Sequence, residues 1–450
     1  MPHDGGRPRL LYVAWGFPPC RGSGVYRALA TANAFAAGGW DVTVLTVERE
    51  VFERFTGADP SLEDLVDPSI RVERIPFSWP ILETDLRQWS ALRIFAPQVW
   101  RRLRTRADLR DFPEVSYGPW RLELEAAAGR LHAERPFDLV LGTANPNVAF
   151  TAGAFLHERH GVPYVLDYRD AWSLDVFDGK RLHESDSVVG RWEKRLFDSA
   201  TEVWFVNEPI AAWHRAAYPE AADRIHVVAN GWDPDLAPDH EPAAPPADRP
   251  LTFGYIGTVS QKVPVAEFIE GWRLGRTRSS ELAAAHASLR GYLGFYKNPH
   301  PHLVELVAAA APDGVSYDGP VPKNEVHEVY EHFDVCLLIL GTGRYVTSGK
   351  VFEYLATGKP VVSVHDTGNA ASDVLRGYPL WFPAASLAPD DVADALVAAA
   401  EAARTASVET RRECREFGDR YRRDLQLMPR VGALLADVSV VSAPGDSVTP

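Results

Sequence analysis

A lysine and a glutamate three residues apart stand near the start of a short predicted helix. Ser348, just before them, has the residue type of a helix N-cap, and Gly358 that of a left-handed C-terminal residue. A helix N-terminus attracts phosphate oxygens, and the ammonium of Lys350 adds a full positive charge. Glu353 is placed to accept hydrogen bonds from a sugar hydroxyl nearby. The pattern favours a diphosphate with a ribose beside it, although an ordinary amphipathic helix explains the local sequence equally well.

Two loops in the second half of the chain combine small residues with features that suit a nucleotide. One loop follows a predicted strand and reads Gly257-Thr258-Val259-Ser260-Gln261-Lys262, so its backbone and its lysine could cradle a diphosphate. The other, residues 317–323, is a glycine- and proline-rich turn in which Val321 and its neighbours could stack on a base. Because the carboxyl ends of parallel strands meet at one edge of a sheet, we expect both loops beside Lys350 and Glu353.

The loop after the first predicted strand carries glycines that permit close approach of a ligand. Gly22 and Gly24 stand between a strand and a helix, and Arg27 occupies the place of the third glycine of a dinucleotide fingerprint. This substitution argues against NAD. A near-match to a phosphate-binding Walker A loop at 343–350 has one residue too many, with Val351 in place of the magnesium-binding hydroxyl. We therefore interpret Gly22, Gly24 and Arg27 as candidate cleft residues.

Polar residues also end other predicted strands of the first half. Arg169 and Asp170 follow the fourth strand, where doubly wound sheets place their ligands. These two side chains could bind a sugar or a phosphate, or they could pair with each other as a loop clamp. Asn145 and Asn207 end neighbouring strands on the same edge. Polar groups from three strand ends predict a binding cleft.

Short apolar runs alternate with helical patterns along both halves of the chain, which is typical of α/β domains with parallel, doubly wound sheets. Strands are predicted to begin near Leu10, Asp41, Phe137, Pro163, Glu202 and His226, and then near Leu251, Leu289, Val315, Val335 and Pro360. The resulting divisions are an N-terminal domain at 1–236, a linker at 237–250, a second domain at 251–407, a helical segment at 408–437 and a disordered tail at 438–450.

The composition limits the classes of function. A chain of 450 residues with 46% hydrophobic residues suits two or three domains, and a net charge of −14 argues against a nucleic-acid partner. The 3 cysteines lie far apart, and no Asp-x-Asp pattern stands at a strand end. We expect reduced thiols, no cofactor and no metal. The lack of a secretory or membrane-spanning apolar run favours a cytoplasmic protein.

The segment 89–110 interleaves aromatic and aliphatic residues with arginines. Such a segment could lie on an anionic membrane or grip an acceptor. A helix packed on its own domain, with its arginines in water, is the more common origin of this pattern.

These motifs, in this order, resemble GT-B fold glycosyltransferases of the GT4-like, retaining type. The resemblance extends from Leu10 to about Leu435. Its most specific pieces are Phe17-Pro18-Pro19 with Gly22, Gly24 and Arg27; Asp167-Tyr168-Arg169-Asp170-Ala171-Trp172; Asn230-Gly231-Trp232-Asp233; and Ser348-Gly349-Lys350-Val351-Phe352-Glu353-Tyr354-Leu355-Ala356.

The resemblance implies two Rossmann-like domains facing each other across a cleft, with the acceptor in the first and a nucleotide sugar in the second. It implies that Glu353 holds the donor ribose and that Lys262 contacts the diphosphate. Arg169 falls where many relatives have a histidine near the transferred sugar, so Arg169, Asp170 and Lys262 are the predicted catalytic residues. The predicted donor-binding residues are Gly257, Thr258, Lys262, Val321, Tyr345, Ser348, Gly349, Lys350 and Glu353.

Two positions depart from the family's pattern. Thr258 stands where an arginine commonly precedes the lysine, and Tyr345 replaces the first glutamate of the paired-glutamate motif. The second departure leaves the identity of the donor sugar open.

The implied activity is transfer of a sugar from a nucleotide-diphosphate donor to an acceptor small molecule or glycan, with retention, in bacterial natural-product or cell-surface glycan synthesis. A nucleotide-sugar 2-epimerase of the same fold and a catalytically silent nucleotide-sugar-binding protein are the alternatives.

Overall fold

The computed structural model describes residues 6–22, 24–234, 243–260, 262–293, 300–322, 325–341 and 343–442. Two compact units share the chain. The first takes in Met1–Asp175, Lys180–Val228 and Leu427–Pro450, and the second takes in Val176–Gly179 and Ala229–Gln426.

The described residues of the first unit contain a seven-stranded sheet in which every pair of neighbours is parallel. Its strands are β1 (Arg9–Ala14), β2 (Asp41–Val47), β3 (Arg71–Ile75), β4 (Leu139–Thr143), β5 (Tyr164–Tyr168), β6 (Glu202–Phe205) and β7 (Ile225–Val227). They lie in the order β3-β2-β1-β4-β5-β6-β7. The central strands are buried on both faces, which explains their continuous apolar sequences.

Helices connect these strands. They are α1 (Val25–Ala37), α2 (Arg49–Val51), α3 (Ala91–Phe95), α4 (Pro97–Asp111), α5 (Trp120–Glu134), α6 (Thr151–His160), α7 (Val188–Ser199) and α8 (Glu208–Ala217). Short 3₁₀ segments include Pro60–Leu65, Pro80–Leu82, Leu86–Gln88, Asn147–Phe150 and Pro219–Arg224.

The second unit has a six-stranded parallel sheet within the described residues. Its strands are β8 (Thr252–Ile256), β9 (His286–Arg290), β10 (Val315–Tyr317), β11 (Val335–Ile339), β12 (Val361–Val364) and β13 (Trp381–Pro383), in the order β10-β9-β8-β11-β12-β13. The remaining helices are α9 (Val265–Arg278), α10 (Ser280–Ala284), α11 (Pro301–Ala309), α12 (Val326–His332), α13 (Gly349–Ala356), α14 (Ala370–Leu375), α15 (Pro389–Thr405), α16 (Val408–Asp419) and α17 (Arg423–Ser442).

Two separate hydrophobic clusters cover the two faces of this second sheet. One cluster packs α9 and α15 on it through residues such as Phe268, Trp272 and Leu396. The other packs α13 and α16 on it through Val351, Leu355 and similar side chains. The sheet therefore has helices on both faces, and the packing of its apolar residues holds α13 in place.

The predicted α/β architecture of two parallel sheets is confirmed, with differences at edge strands. β3 was not predicted, because its sequence Arg-Val-Glu-Arg-Ile is polar at an edge of the sheet. β13 was also missed, since it is short and ends in a proline. β9 spans His286–Arg290 and so begins before the predicted start at Leu289, and it ends there because the chain turns at Gly291, whose φ is +121°.

The predicted helical segment 408–437 consists of two helices in the structure. α16 ends at Asp419 because the backbone then pairs with Trp232, whose N–H donates to the Tyr421 carbonyl at 3.0 Å. α17 continues to Ser442, beyond the predicted boundary, and its Leu435 and Val438 pack against the first unit's core. The rest of the predicted disordered tail, 443–450, lies outside the described residues.

Candidate functional site

The carboxyl edge of the second sheet has a point where the strand order reverses. β8 lies between β9 and β11, so the loops after β8 and β11 leave the sheet side by side and turn in opposite directions. Doubly wound sheets bind their ligands in the crevice that such a reversal creates. The loop after β8 carries Gly257 and Thr258, and the loop after β11 leads into α13 with Lys350 and Glu353.

Gly257 and Lys350 approach each other closely at this point. The φ of Gly257 is +147°, and a Cβ built there would lie 2.5 Å from Lys350 Nζ. The Lys350 ammonium sits 3.9 Å from the centre of the Tyr255 ring, and the Tyr255 hydroxyl donates to the Thr258 carbonyl at 3.1 Å. Glycine is thus required at 257 both for its backbone conformation and for the room it leaves to the lysine.

Helix α13 is fastened to the end of β8 and presents its N-terminus at the same edge. The Ile256 N–H donates to the Tyr354 hydroxyl at 3.1 Å. Ser348 occupies the predicted N-cap position in extended backbone geometry, but its side chain accepts no hydrogen bond from the first turn. At the other end Gly358 has the predicted left-handed conformation, with a φ of +65°. The helix is therefore placed by packing and by Tyr354 rather than by a side-chain cap.

Glu353 is oriented by a tyrosine from another helix. The hydroxyl of Tyr330, in α12, donates to Glu353 Oε2 at 2.5 Å. Burial, followed by the nearby Glu353 charge, raises the pKa of Tyr330 well above its usual value, so the phenol stays protonated and remains a donor. Tyr330 was not singled out from the sequence, because nothing in its local pattern relates it to a glutamate 23 residues later.

Lys350 is poised between its charged and neutral forms. Burial lowers the pKa of Lys350 to about 7, while the negative charge of Glu353 acts in the opposite direction. Within the described residues, no carboxylate forms an ion pair with this ammonium. A phosphate group placed here would supply the counter-charge that the described residues do not.

The other predicted donor residues have contacts of their own in the second unit. The Lys262 ammonium lies 4.0 Å from the centre of the Phe177 ring, and Lys262 lines a pocket of about 390 Å³ together with Glu267 and His302. The ring of Tyr345 packs against Gly179, where a Cβ would lie 2.9 Å from it. Val321 packs against the cluster that holds α13, and Gly349 is exposed at the start of that helix. Residue 261 of the loop after β8 lies outside the described residues, and so do residues 323–324 of the predicted base-stacking turn.

In the first unit, the predicted cleft residue Arg27 lies inside the core. It is 3% exposed, and its guanidinium binds both carboxylate oxygens of Asp167, with Nη2 2.6 Å from Oδ1 and Nε 2.9 Å from Oδ2. Its Nη1 donates to the Val228 carbonyl at 3.0 Å, and the Thr143 hydroxyl donates to Asp167. Arg27 therefore joins α1 to the carboxyl end of β5, and its place in a cleft stays a prediction.

Arg169 and Asp170 do not form the loop clamp considered above. The Arg169 guanidinium packs on Gly24, where a Cβ would overlap it, at the start of α1. Asp170 is exposed and accepts a hydrogen bond from Asn145 Nδ2 at 3.0 Å. Gly24, Asn145, Arg169 and Asp170 thus come together in two contacting pairs at the carboxyl edge of the first sheet.

The other two predicted cleft residues have local contacts. Asn207 is the N-cap of α8, where its side chain accepts from the Ile210 N–H at 2.9 Å, and it is buried. Gly22 is exposed, and its N–H donates to Cys20 Sγ at 3.4 Å. The capping bond explains why an asparagine suits position 207, and its part in a cleft stays a prediction.

The described part of the chain has neither a metal-binding cluster nor a membrane-spanning helix. No group of three or more His, Cys, Asp or Glu side chains there is arranged to hold a metal ion, and metal independence stays a prediction. Among the described helices, none has the length and apolar character needed to cross a bilayer.

The fold places the protein in the GT-B class. Sucrose-phosphate synthase from Thermosynechococcus elongatus superposes with a TM-score of 0.63 at 16% identity, covering 97% of this chain and 100% of the synthase chain. HepE from Anabaena, in complex with UDP, superposes with a TM-score of 0.61 at 14% identity, covering 97% of this chain and 100% of the HepE chain. A putative UDP-N-acetylglucosamine 2-epimerase from Listeria monocytogenes superposes with a TM-score of 0.58 at 10% identity, covering 99% of this chain and 100% of the epimerase chain.

The sequence itself identifies the first half of the chain. Residues 22–231 match the family described as "Glycosyl transferase 4-like domain". No match was found among curated protein sequences. The first half of the chain is therefore similar to a glycosyl transferase 4-like domain, and the predicted resemblance to GT-B fold glycosyltransferases is confirmed.

Proposed function

We propose that this glycosyltransferase transfers a hexosyl or related group from a nucleoside-diphosphate sugar to a hydroxyl of an acceptor small molecule or glycan. The observation that carries the proposal is the group formed by Gly257, Thr258, Lys350 and Glu353 at the reversal point of the second sheet. It offers a cation that has no carboxylate ion pair among the described residues, a glycine backbone that a ligand can approach, and an oriented carboxylate within a single turn of helix.

Each part of this group has a chemical role towards such a donor. The diphosphate would lie against Lys350 and the N-terminus of α13, where positive charge is concentrated. Glu353, held by Tyr330, would accept hydrogen bonds from the two ribose hydroxyls. Exposed Lys262 would add a second cation to the diphosphate from the loop after β8. Tyr345 and Val321 would complete the donor site around the sugar and the base.

The chemistry needs charge placed in advance rather than a cofactor. When the bond from the sugar to the diphosphate breaks, negative charge grows on the leaving diphosphate and positive charge on the sugar ring. Fixed cations stabilise the leaving group without reorganisation. In our proposal Lys350 and Lys262 do this without a metal ion or a cofactor, while Arg169 and Asp170 act near the transferred sugar or the acceptor. Retention of configuration is part of the proposal through the family resemblance.

The biological setting follows from weaker observations. Arginine and alanine are used heavily in this chain, as in proteins from GC-rich bacterial genomes. We therefore propose a bacterial, cytoplasmic enzyme of natural-product or cell-surface glycan assembly.

The first test is the binding of nucleoside diphosphates. Thermal unfolding of the protein with UDP, GDP, dTDP, CDP or ADP detects this binding as an increase in stability. UDP is the first choice, because structures of HepE contain UDP and UDP-glucose. A ligand at about 100 times its dissociation constant should stabilise the protein by about 2.7 kcal/mol. Glu353→Gln and Lys350→Met should each weaken the effect, whereas the exposed control changes Glu413→Gln and Lys194→Gln should not. Absence of a shift with all five nucleotides would contradict the proposed donor site.

Product analysis separates the proposal from its alternatives. A transferase consumes the nucleotide sugar only slowly until an acceptor hydroxyl is supplied. A 2-epimerase, which shares this fold, would convert the donor to its epimer with no acceptor present. A binding protein without activity would be stabilised by the nucleotide sugar and leave it unchanged over hours. Incubating the protein with UDP-glucose, UDP-N-acetylglucosamine and mixed alcohol acceptors, and resolving the sugars by NMR, distinguishes the three.

A further inference from the structure

Helix α4 is unusual in how little of it packs against the protein. Asp108 is its one buried residue, and the side chains beside it, Trp100 and Arg104, are partly exposed. At 100° per residue, these three residues define the inward side of the helix. Most of the remaining surface faces outward, so its composition is not determined by packing within the first unit.

The outward side of α4 mixes aliphatic and basic residues. On the helical projection an arc of about 120° contains three aliphatic residues and three arginines. They are Val99, Leu103, Leu109, Arg102, Arg106 and Arg110. The apolar surface continues into α3, where Phe95 is 86% exposed and Ile94 is 51% exposed. We call α3, α4 and this shared surface the α3–α4 face.

The charge of this face is opposite to that of the whole chain. Residues 89–110 contain six arginines and one aspartate, a formal charge of +5, in a chain whose net charge is −14. Arg104 is paired with Asp108, and Arg110 with Asp111. Among the described residues no carboxylate pairs with Arg102 or Arg106. These two guanidinium groups are therefore available to an anionic partner.

One arginine of the segment has a structural task and is not part of the docking surface. The Arg93 guanidinium lies 3.9 Å from the Trp89 ring centre and 4.6 Å from that of Trp100, and it donates to the Pro80 carbonyl at 2.6 Å. This clamp fixes α3 to the start of α4, so the exposed Phe95 and Ile94 are presented on a defined support.

We propose that the α3–α4 face docks on an anionic lipid surface, with the helices lying in the plane of the interface. Aliphatic and aromatic side chains would enter the boundary between headgroups and acyl chains, while arginines extend towards phosphate groups. A helix that contacts only solvent on its outer side would not be expected to expose Phe95, Ile94 and Leu103 beside three arginines. A nucleic acid would use the charge but not the aliphatic residues between them. This proposal goes beyond the proposed sugar transfer and does not depend on it.

Co-sedimentation with lipid vesicles tests the proposal on the full-length protein. Vesicles of phosphatidylcholine alone are compared with vesicles that contain one-third phosphatidylglycerol. The wild type should bind the anionic vesicles far better, and added salt should weaken binding. Arg102→Gln with Arg106→Gln should lower the partition coefficient about 30-fold, since each basic residue near such a surface contributes about fivefold. Phe95→Ser should lower it by about tenfold.

The controls make the outcome decisive. Arg130→Gln with Arg412→Gln removes the same charge from exposed positions outside the α3–α4 face, and it should leave vesicle binding unchanged. All the changed side chains are exposed, and thermal unfolding of each variant verifies that it is folded. Equal binding to both kinds of vesicle, no binding to either, or an equal loss in the control variant would overturn the proposal. So would an unchanged affinity in the Phe95→Ser variant, since charge alone would then explain the binding.

Discussion

Each sheet has a cationic side chain at its carboxyl edge, and the two cations differ in their ion-pair partners. Arg27 in the first unit is 3% exposed and bound through two hydrogen-bonding nitrogens to Asp167. Lys350 in the second unit has an aromatic ring beneath it and no ion-pair partner among the described residues. Each lies close to where its strand order reverses, the position at which such sheets bind ligands. The difference lies in whether the protein supplies the counter-charge.

This difference separates a structural cation from a binding one. A buried arginine with its carboxylate in place joins strands and helices, and a second anion would find its charge already balanced. A desolvated lysine without such a partner is costly in the free protein and is relieved when an anion arrives. Both residues are cations near a strand-order reversal, and the ion-pair partner is the difference that bears on their roles.

The largest effect is expected at the structural cation. Arg27→Met leaves Asp167 buried without its counter-charge and should lower the free energy of unfolding of the first unit by about 3–5 kcal/mol. Chemical denaturation followed by tryptophan fluorescence measures this loss. Arg412→Met, which removes an exposed pair with Glu409, should cost less than about 1 kcal/mol. Equal, small losses in both variants would mean that the buried pair is not what holds α1 to the strands.

The second prediction concerns Lys350, where stability and binding should change in opposite directions. Lys350→Met removes a charge whose burial is unfavourable, so the free energy of unfolding should stay the same or rise. Binding of the nucleoside diphosphate should fall by about 10- to 100-fold, the usual effect of losing a charge-assisted hydrogen bond. Thermal unfolding with and without UDP gives both quantities in one experiment. A variant that is destabilised but still binds normally would place Lys350 in the structural class with Arg27.

The third prediction is a pH dependence that only Lys350 should produce. Its folded pKa, about 7, lies below the ordinary lysine value, so the folded protein carries fewer protons than the unfolded chain between pH 7 and that value. The cost of burying the charge is therefore full below pH 7 and disappears as the pH rises. Binding follows the charged form, so affinity should fall towards about tenfold per pH unit above pH 7.

UDP-glucose is the appropriate ligand for this measurement, because its diphosphate is esterified at both ends and does not titrate near neutrality. Calorimetry from about pH 6 to about pH 9 would follow the affinity and the proton uptake together. The Lys350→Met variant should show no such slope. A flat profile in the wild type would remove Lys350 from the site.

The elements that carry the two cations could be predicted from the sequence, but the partners of the charged side chains could not. The buried strands, α13 and its left-handed Gly358 follow from local apolar patterns and turn residues, and the structure has them where they were predicted. The bond from Arg27 to Asp167 could not be predicted, because the two residues lie 140 positions apart and a single sequence does not pair distant charges. The same limit hid Tyr330 as the partner of Glu353.

Edges and loops limited the prediction in a second way. β3 has little apolar character, because an edge strand has one unpaired side and fewer buried contacts, and β13 has only three residues and ends in a proline. The candidate site depends on how close loops come to each other, as with Gly257 and Lys350. Such approaches are set by the packing of whole helices, which spacing along the chain does not reveal.

The smallest effect should come from the residue that positions Glu353. Tyr330→Phe removes one hydrogen bond to the carboxylate and should weaken UDP binding about threefold to tenfold. Tyr421→Phe is a matched control, since its hydroxyl donates to the Val374 carbonyl at 3.4 Å in the same unit. If Glu353 holds the ribose, the loss should be larger for UDP than for 2′-deoxy-UDP, and the preference for ribose should shrink.

That preference distinguishes a positioning role from general loosening of the fold. A variant that only destabilised α12 and α13 would weaken both nucleotides equally and leave their ratio unchanged. A reduced ratio in Tyr330→Phe, with a similar reduction in Glu353→Gln, would show that the hydroxyl acts through the carboxylate. An unchanged ratio in both would mean that the second unit's carboxylate, like Arg27 in the first, has its partner within the protein and no part in binding.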